Sequence, residues 1–261
     1  MLDVLKTRVI PTLLMRDVGL VKGVAFDSWR RVGTPLQAIN VFNVRGVDEL
    51  ILLDIGATPE GREPDYDLVS TLAEECFVPL TVGGGVRSIE AVRRLLRAGA
   101  DKVSLNTSAF RKPELVSEAA LRFGSQCVVV SIDYRRDAGG RAECFIDCGV
   151  TPTGIDPVGC ARRAEELGAG ELLLTSIERD GTMQGFDLET IAQVSGAIRV
   201  PLIAAGGAGS YEHLLSAITE GGASAVSAAS MYLFTEATPA EAKAYLAGHG
   251  VLVRDGRAGS V

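Results

Sequence analysis

VDELILLDI at residues 47–55, followed by FVPLTVGGGVRSIEAVRRLLRAGADKVSLNTSAF at 77–110, decides how this chain folds, because the same pattern returns further along. It returns as AGELLLTSI at 169–177 and RVPLIAAGGAGSYEHLLSAITEGGASAVSAASMY at 199–232. The offset is 122 residues throughout, for example from Glu49 to Glu171, and it also matches Gly99 with Gly221. A period this long predicts a duplicated half-domain rather than a solenoid unit.

Each copy alternates short aliphatic runs with amphipathic stretches of helical period. The runs predict eight strands, near residues 8–14, 49–55, 78–83, 101–105, 126–133, 170–176, 200–205 and 224–228. Their nearly continuous hydrophobicity is typical of parallel strands buried on both faces. Between them, a helix such as SIEAVRRLLRAG is predicted to begin after an N-cap at Ser88 and to stop at Gly99.

Eight strands alternating with helices fit either a closed barrel or an open doubly wound sheet. The duplication favours closure, because a half-barrel has an open edge with which its twin can pair. No GxGxxG turn follows the first strand, which argues against the open sheet. We therefore predict an α/β fold, a single (β/α)8 TIM barrel over residues 1–261, with half-barrels at about 5–123 and 124–250 and a flexible tail at 254–261.

Composition narrows the possible partners and compartments. The net charge is −7 with no long basic run, so nucleic acid and anionic membranes are not expected partners. Five cysteines without a CxxC motif, and only two histidines, predict reduced thiols, no metal site and no cofactor. No apolar run is long enough to span a bilayer and the first residues lack a signal-peptide core, so we expect a cytoplasmic protein.

The active site of such a barrel lies at the carboxyl ends of its strands, so polar residues there are the candidates. Asp133 ends an apolar strand, and burial is expected to raise its pKa toward a value useful for proton transfer. Lys22 lies in a long first loop, residues 15–34, where it meets a phosphate or is simply solvated. That loop is long enough to form a lid, with Phe26 and Trp29 as hydrophobic latches. The further supporting candidates are Asp54, which alternatively only organises loops, and Ser176.

Glycine pairs recur at equivalent strand ends of the two copies. Gly84-Gly85 and Gly206-Gly207 each precede a helix N-terminus, where backbone N–H groups can approach an anion. The neighbouring strand ends carry Asn106-Thr107 in one copy and Ala229-Ser230 in the other. We predict two phosphate cradles on opposite sides of one mouth, suited to a ligand with two phosphoryl groups or a diphosphate. The alternative is that these glycines only make turns.

Several stretches together resemble the cyclase subunit of imidazole glycerol phosphate synthase, the HisF family, over roughly residues 5 to 254. They are KTRVIP, VDELILLDI, PLTVGGGVRS, GADKVSLNT, FGSQCVVVSID, GAGELLLTSIERDGT and AAGGAGSYEH. The resemblance implies a glutaminase partner of the HisH type at the bottom of the barrel, which passes ammonia up its centre. It implies a gate of four charges, Arg8, Glu49, Lys102 and Glu171, whose alternative reading is a structural ion-pair ring. It also assigns the phosphate contacts to Gly85, Asn106, Thr107, Asp180, Gly181, Gly207, Ala229 and Ser230.

The chain departs from the family at one catalytic position. Asp133 matches the second catalytic aspartate, but the family pattern Cys-Leu-Asp at the end of strand one is replaced by Thr12-Leu13-Leu14. Leu14 is the expected counterpart of Asp133, and a leucine cannot transfer a proton, a function worth about 10² to 10⁴ in rate. The cyclase reaction is therefore in question.

Two loop segments, LLMRDVGLVKG and EGREPDYDLV, are similar to HisF paralogues of acetamidino modification. Those paralogues act with a HisH paralogue and an amidotransferase to form an acetamidino group on a nucleotide-activated sugar. Three hypotheses follow: such an amidine-forming subunit, an authentic cyclase of histidine biosynthesis, and a non-catalytic ammonia conduit that serves a third protein.

Overall fold

Parallel strands wrapped by helices make up most of the protein, whose computed structural model describes residues 6–17 and 19–254. In chain order the strands are β1 (Arg8–Arg16), β2 (Gly19–Val24), β3 (Asp27–Gly33), β4 (Leu50–Asp54), β5 (Leu80–Gly83), β6 (Lys102–Leu105), β7 (Val128–Arg136), β8 (Ala142–Ile146), β9 (Thr151–Pro152), β10 (Glu171–Ser176), β11 (Leu202–Ala205) and β12 (Ala225–Ala228). The helices are α1 (Pro35–Val44), α2 (Tyr66–Glu74), α3 (Ile89–Arg97), α4 (Thr107–Arg111), α5 (Glu114–Phe123), α6 (Pro157–Glu166), α7 (Leu188–Ser195), α8 (Tyr211–Thr219), α9 (Ser230–Phe234) and α10 (Pro239–Gly248), with a 3₁₀ turn at Ser125–Cys127.

Eight of the strands close into a barrel. They run parallel in the order β1, β4, β5, β6, β7, β10, β11 and β12, and β12 pairs with β1 to complete the ring. The predicted (β/α)8 barrel is therefore confirmed, and no end of a predicted strand is displaced by more than three residues. In the described part of the chain, no helix is both long and apolar enough to cross a lipid bilayer.

The helices form as their caps and apolar faces require. The Ser88 hydroxyl accepts the Ala91 N–H at 3.2 Å, and α3 ends just before Gly99, whose φ of +102° is easily adopted only by glycine. Val92 and Leu95 on one face of α3 are fully buried against the barrel. The capping prediction for this helix is confirmed.

Two parts of the sequence reading need correction. The segment 15–34, predicted as a long loop, is largely regular: β1 extends to Arg16, and β2 and β3 form an antiparallel hairpin on its end. β8 and β9 extend β7 in the same way in the second half. These strands are short and mix charged with apolar residues, so their two-residue period is not distinct in the sequence.

The second correction concerns the offset between the halves. It is 122 from α3 to α8 but 123 from β6 to β12, because one additional residue follows α8. Gly222, with φ +72°, is the counterpart of Gly99, whereas Gly221 lacks a positive φ. The predicted match of Gly99 with Gly221 is therefore wrong. Of the predicted tail at 254–261, only Arg254 falls within the described residues.

A buried ion pair fastens the last helix to the barrel. The Asp48 carboxylate accepts the Val9 N–H at 2.8 Å and pairs with the Lys243 ammonium at 3.0 Å. Both side chains are less than 10% exposed. Since α10 packs on β1 beside this contact, the pair fixes α10 to the first strand of the barrel.

We expect Lys243→Ala to lower the free energy of unfolding by about 3 to 5 kcal/mol, because it leaves the Asp48 charge buried without its partner. Urea denaturation followed by circular dichroism measures the effect. The matched control is Arg122→Ala, which breaks the half-exposed pair with Glu118 and is expected to change stability by less than about 1 kcal/mol. Equal losses in the two variants would contradict the assignment.

Candidate active site at the mouth of the barrel

The barrel interior is arranged in layers set by the two-residue period of its strands. In β1, Arg8, Ile10, Thr12 and Leu14 face inward from the amino end to the carboxyl end. These four residues place a charge, an aliphatic group, a hydroxyl and an aliphatic group at successive heights. The other strands add residues of the same kinds to the three lower layers.

The lowest layer is a closed ring of four charges. The Arg8 guanidinium contacts Glu49 at 3.1 Å and Glu171 at 2.5 Å. The Lys102 ammonium contacts both carboxylates at 2.8 Å. Each carboxylate therefore lies between two cations, which makes the four predicted gate residues one connected unit.

The charges of the ring stabilise one another against burial. Burial alone would raise the pKa of Glu49, but the charges of Arg8 and Lys102 outweigh it and hold that pKa below its usual value. Burial alone would lower the pKa of Arg8, but Glu171 and Glu49 outweigh it and raise that pKa. Arg254 adds a half-exposed contact to Glu49 at 3.3 Å.

Above the ring lies an aliphatic layer, and above that a layer of hydroxyls. The aliphatic layer consists of Ile10, Ile51, Val129, Leu173, Ile203 and Ala225. The hydroxyl layer forms the floor of the mouth and consists of Thr12, Ser104, Ser131, Thr175 and Ser227. Thr12 and Ser227 share a hydrogen bond of 2.5 Å across the first and last strands.

A cavity of about 290 Å³ opens above these hydroxyls at the carboxyl ends of the strands. Asp133 lies on its wall, where Ser131 donates to one carboxylate oxygen at 3.3 Å and Asn106 donates to the other at 3.2 Å. Burial raises the pKa of Asp133 to about 7, against the opposing effect of hydrogen bonds from Ser131 and Thr175. A carboxyl with this pKa exchanges its proton near neutral pH, as general acid–base catalysis requires.

Leu14 occupies the position that corresponds to Asp133 in the first half. In the ladders, Leu14 pairs with Leu53 and Asp133 pairs with Thr175, and the two partners are themselves duplicates. Leu14 and Leu53 both line the cavity. The mouth therefore presents an ionisable wall on one side and an aliphatic wall on the other.

Two of the supporting candidates, Asp54 and Ser176, lie at the end of their strands in different surroundings. Asp54 accepts two hydrogen bonds from the Arg62 guanidinium, at 2.7 and 3.0 Å, and further ones from the N–H groups of Gly56 and Ala57. Its oxygens are thus used in organising the second loop. Ser176 is buried but is absent from the cavity lining, because Thr175, one residue earlier, is the inward-facing residue of β10.

Lys22 is not solvated but is buried at the cavity wall, where it forms an ion pair. It is 3% exposed, lines the cavity and pairs with Asp180 at 2.6 Å. The Ala25 N–H donates to the Asp180 carbonyl at 2.8 Å, which fixes the β2–β3 hairpin across the mouth. Phe26 and Trp29 of this hairpin also line the cavity, with ring centroids 6.5 Å apart.

The two glycine pairs make close backbone turns and also line the cavity. A Cβ on Gly84 would lie 2.2 Å from the Asp54 carbonyl oxygen, and one on Gly207 would lie 2.1 Å from the Gly185 carbonyl oxygen. Close backbone packing therefore requires these glycines. Gly84, Gly85, Gly206 and Gly207 also line the cavity, where Gly85 donates its N–H to the Thr58 hydroxyl at 3.3 Å.

The hydroxyls beside the two glycine pairs differ in their partners. In the first half, Thr107 donates to Asn106 at 3.3 Å and accepts the Asp147 N–H at 3.0 Å. In the second half, the buried Ser230 hydroxyl faces the cavity and has no hydrogen-bond partner among residues 6–17 and 19–254. A buried hydroxyl without a partner is unfavourable, so this position suits an anionic ligand that accepts its hydrogen bond. Ala229 and Gly181, also expected there, line the same side.

Several cavity residues were not singled out from the sequence. The floor hydroxyls Thr12, Ser104, Ser131 and Ser227 each lie two residues before a residue considered in the sequence, namely Leu14, Asn106, Asp133 and Ala229, and this spacing is the signal that would have found them. Three rim cations, Arg87, Arg111 and Lys112, also line the cavity. Within the described residues, no group of three or more His, Cys, Asp or Glu side chains is placed to hold a metal ion.

The closed (β/α)8 barrel places a buried carboxyl and paired glycine turns around one cavity at the carboxyl ends of its strands, the end at which TIM-barrel enzymes have their active sites. The family model described as histidine biosynthesis protein matches residues 8–238, which is most of the chain. The chain therefore belongs to the histidine biosynthesis protein family, a family of enzymes with barrels of the HisA and HisF types.

We expect the stability of the protein to fall as pH rises from about 4 to about 7, because of Asp133. Its pKa is higher in the folded chain than the ordinary 3.8, so the folded state binds this proton more tightly and loses that advantage when the proton leaves. A shift of this size corresponds to about 4 kcal/mol at most. Asp133→Asn cannot titrate, so its stability relative to the original protein should increase from pH 5 to pH 8 in urea denaturation.

The control for this titration is Asp137→Asn. The Arg141 and Gly139 N–H groups lower the pKa of this exposed aspartate, so its contribution has the opposite sign and is small. A difference between Asp133→Asn and the original protein that stays constant with pH would show that Asp133 keeps an ordinary pKa.

Proposed function

We propose that the chain is the ammonia-using synthase subunit of a glutamine amidotransferase pair, a HisF paralogue that directs ammonia to amidine formation on a phosphorylated or nucleotide-activated sugar. The observation that carries the proposal is the combination of a complete charged ring below with one acid of raised pKa at the mouth, Asp133, while Leu14 faces the cavity in place of a second catalytic aspartate.

A glutaminase of the HisH type is the proposed partner at the amino ends of the strands. Large apolar side chains are exposed at this end: Val44 at the end of α1, Phe77 before β5, Leu121 near the end of α5 and Leu252 beside the start of β1. Phe77 is 80% exposed and Leu121 is 88% exposed. Exposed apolar groups around a charged centre are typical of a protein–protein interface.

The interior suits ammonia as the molecule that passes from one site to the other. The aliphatic layer between the ring and the floor disfavours ammonium and water, since transfer of a charge into an apolar region is very unfavourable. Neutral ammonia bears no such penalty. In this proposal the ring separates to admit ammonia, and the floor hydroxyls Thr12 and Ser227 receive it by hydrogen bonding.

The mouth supports proton transfer during addition of ammonia to an amide. Ammonia attacks the carbonyl carbon of an N-acetyl group, the nitrogen gives up a proton to Asp133, and the carbonyl oxygen finally departs as water or as an activated leaving group. Leu14 and Leu53 form an apolar wall suited to the acetyl methyl group. Because an amide oxygen is a poor leaving group, we propose a third protein, an amidotransferase, that activates it.

Authentic cyclase activity in histidine biosynthesis is the second candidate, and the family match supports it. Against it stands Leu14, since that reaction in the resembling family uses two aspartates. A non-catalytic conduit needs neither the raised pKa of Asp133 nor an enclosed mouth, so these features favour the catalytic readings.

The cyclase assay separates these functions. The purified chain is supplied with ammonium and the ribulosyl-formimino aminoimidazole nucleotide, and imidazole glycerol phosphate is measured. We expect no more than about one hundredth of an ordinary cyclase rate, because one of two acid–base groups is missing. Turnover at an ordinary rate would remove the amidine proposal in favour of the cyclase.

Leu14→Asp is the informative variant in the same assay, with Leu53→Asp as a control for a new carboxylate elsewhere on the wall. If the rate of imidazole glycerol phosphate formation rises in Leu14→Asp but not in Leu53→Asp, the nucleotide still binds and the chain lacks only the acid at position 14. For the conduit, the readout is Asp133→Asn in the complete assembly: unchanged product formation would support a conduit and contradict a catalytic Asp133.

Glutaminase binding is expected to depend on the amino-end surface. Phe77→Glu should weaken association with the HisH-type subunit by at least about tenfold, the loss typical of an interface residue of some importance. Isothermal titration calorimetry measures it. Val150→Glu is the matched control, since Val150 is 77% exposed but lies next to Gly149 and the β2–β3 hairpin at the mouth. Equal weakening by both variants would contradict docking at the amino end.

A further inference from the structure

The two halves of the barrel differ in charge at equivalent positions of the mouth. The first half carries the rim cations Arg87, Arg111 and Lys112, all of which line the cavity. With offsets of 122 and 123, their counterparts are Gly209, Phe234 and Thr235, which are uncharged and absent from the lining. Comparison of the two halves therefore shows that these three rim cations are present in the first half and have no charged counterparts at the equivalent positions of the second half.

Arg87 is held in place without losing its charge. Its guanidinium donates to the Gly61 carbonyl at 3.1 Å and to the Thr58 carbonyl at 3.3 Å. Both partners are neutral, so they orient the cation but do not cancel it. The counterpart Gly209 has no room for any side chain, because a Cβ there would lie 2.2 Å from the Met183 carbonyl oxygen.

Arg111 is the last residue of the short helix α4 and Lys112 follows it, and both line the cavity together with the first glycine pair. Arg111 pairs with Asp147 at 2.6 Å, so its charge is compensated. Lys112 is exposed, and no carboxylate lies within salt-bridge distance of it in the described chain. Two uncompensated positive charges, Arg87 and Lys112, therefore border the first cradle.

Among residues 6–17 and 19–254, the second side of the cavity has no such uncompensated positive charge. Lys22 lines it but is paired with Asp180. Arg30 stacks its guanidinium on the Phe234 ring at 4.2 Å, and neither residue reaches the lining. What this side offers an anion is the Ser230 hydroxyl and backbone N–H groups, which are neutral donors.

We propose that Arg87 and Lys112, together with the first glycine pair, form a diphosphate subsite, and that the acceptor is a diphosphate ester oriented with this group toward the first half. One phosphoryl group meets the backbone donors of the cradle, and the next meets the two cations. The second half takes a singly phosphorylated or hydroxyl-bearing end of the ligand. The inference rests on the proposed function only in treating this mouth as the acceptor site.

The physical basis is charge complementarity at the rim. A diphosphate carries more negative charge than one phosphoryl group and spreads it over a longer span, so two separated cations favour it. With a net charge of −7, the protein as a whole repels anions, and the local surplus must provide the attraction.

The test compares binding of inorganic pyrophosphate and inorganic phosphate to the full chain by isothermal titration calorimetry, without divalent metal. We expect pyrophosphate to bind at least about fivefold more tightly, a size consistent with two partly exposed charge contacts. In the double variant Arg87→Gln/Lys112→Gln, that preference should fall to about onefold while phosphate binding persists.

Two controls locate the effect. Arg93→Gln/Arg122→Gln removes two cations from outer helices, α3 and α5, and should leave the preference unchanged. Ser230→Ala should weaken phosphate binding at the second side without abolishing the preference for pyrophosphate. Circular dichroism and melting temperature verify that each variant folds.

The proposal is overturned if the original chain binds both anions equally, or if Arg87→Gln/Lys112→Gln retains the preference. These outcomes concern anion binding alone and leave ammonia-dependent synthesis untouched. Conversely, cyclase turnover at an ordinary rate would contradict the amidine proposal. The diphosphate subsite would still be tested separately, by the calorimetric comparison of pyrophosphate with phosphate.

Discussion

Closure of eight parallel strands confines every second side chain to the space inside the ring, and the rest of this structure depends on that confinement. The inward residues of one strand become neighbours of those at the same height on the other strands, whatever their distance in the sequence. Arg8, Glu49, Lys102 and Glu171 meet in this way, from four different strands or strand starts. Charges buried so deeply are tolerated only because each has opposite charges beside it.

The order of the layers gives the barrel a direction. Charge at the bottom, aliphatic groups above it and hydroxyls below the mouth produce a gradient from a dry interior to a polar cavity. Asp133 lies at the upper end of this gradient, where burial is sufficient to raise its pKa and hydrogen bonds from Ser131 and Asn106 still orient it. The same confinement that buries the ring thus also raises the pKa of this carboxyl.

The duplicated halves have kept their framework and diverged at the mouth. The framework positions, such as Gly84 and Gly207, are fixed by backbone contacts that leave no room for a side chain. The mouth positions face the cavity instead of the backbone, and there one half has Leu14 and a cationic rim while the other has Asp133 and neutral donors. Such divergence is expected where the two ends of a bound molecule differ chemically.

The sequence alone determined the barrel architecture and the approximate positions of its strands. The repeat predicted the eight strands and their closure, because burial on both faces and a spare edge on each half leave few other arrangements. The resemblance to the HisF family, not the repeat, implied that Leu14 is the counterpart of Asp133. The sequence did not reveal the β2–β3 hairpin, the change of offset after α8, or the burial of Lys22 against Asp180.

Only the tertiary structure decided which polar strand-end residues share the cavity. Thr175 faces it and Ser176 does not, and Asp54 is occupied by Arg62 from a loop eight residues away. The two-residue period of a strand determines which residues share a face. Which of the two faces points into the barrel, and which partner contacts a given side chain, depends on packing between segments that are distant in the chain. The sequence therefore determined the barrel and the candidate polar residues at its strand ends, while tertiary packing decided which of these residues face the cavity.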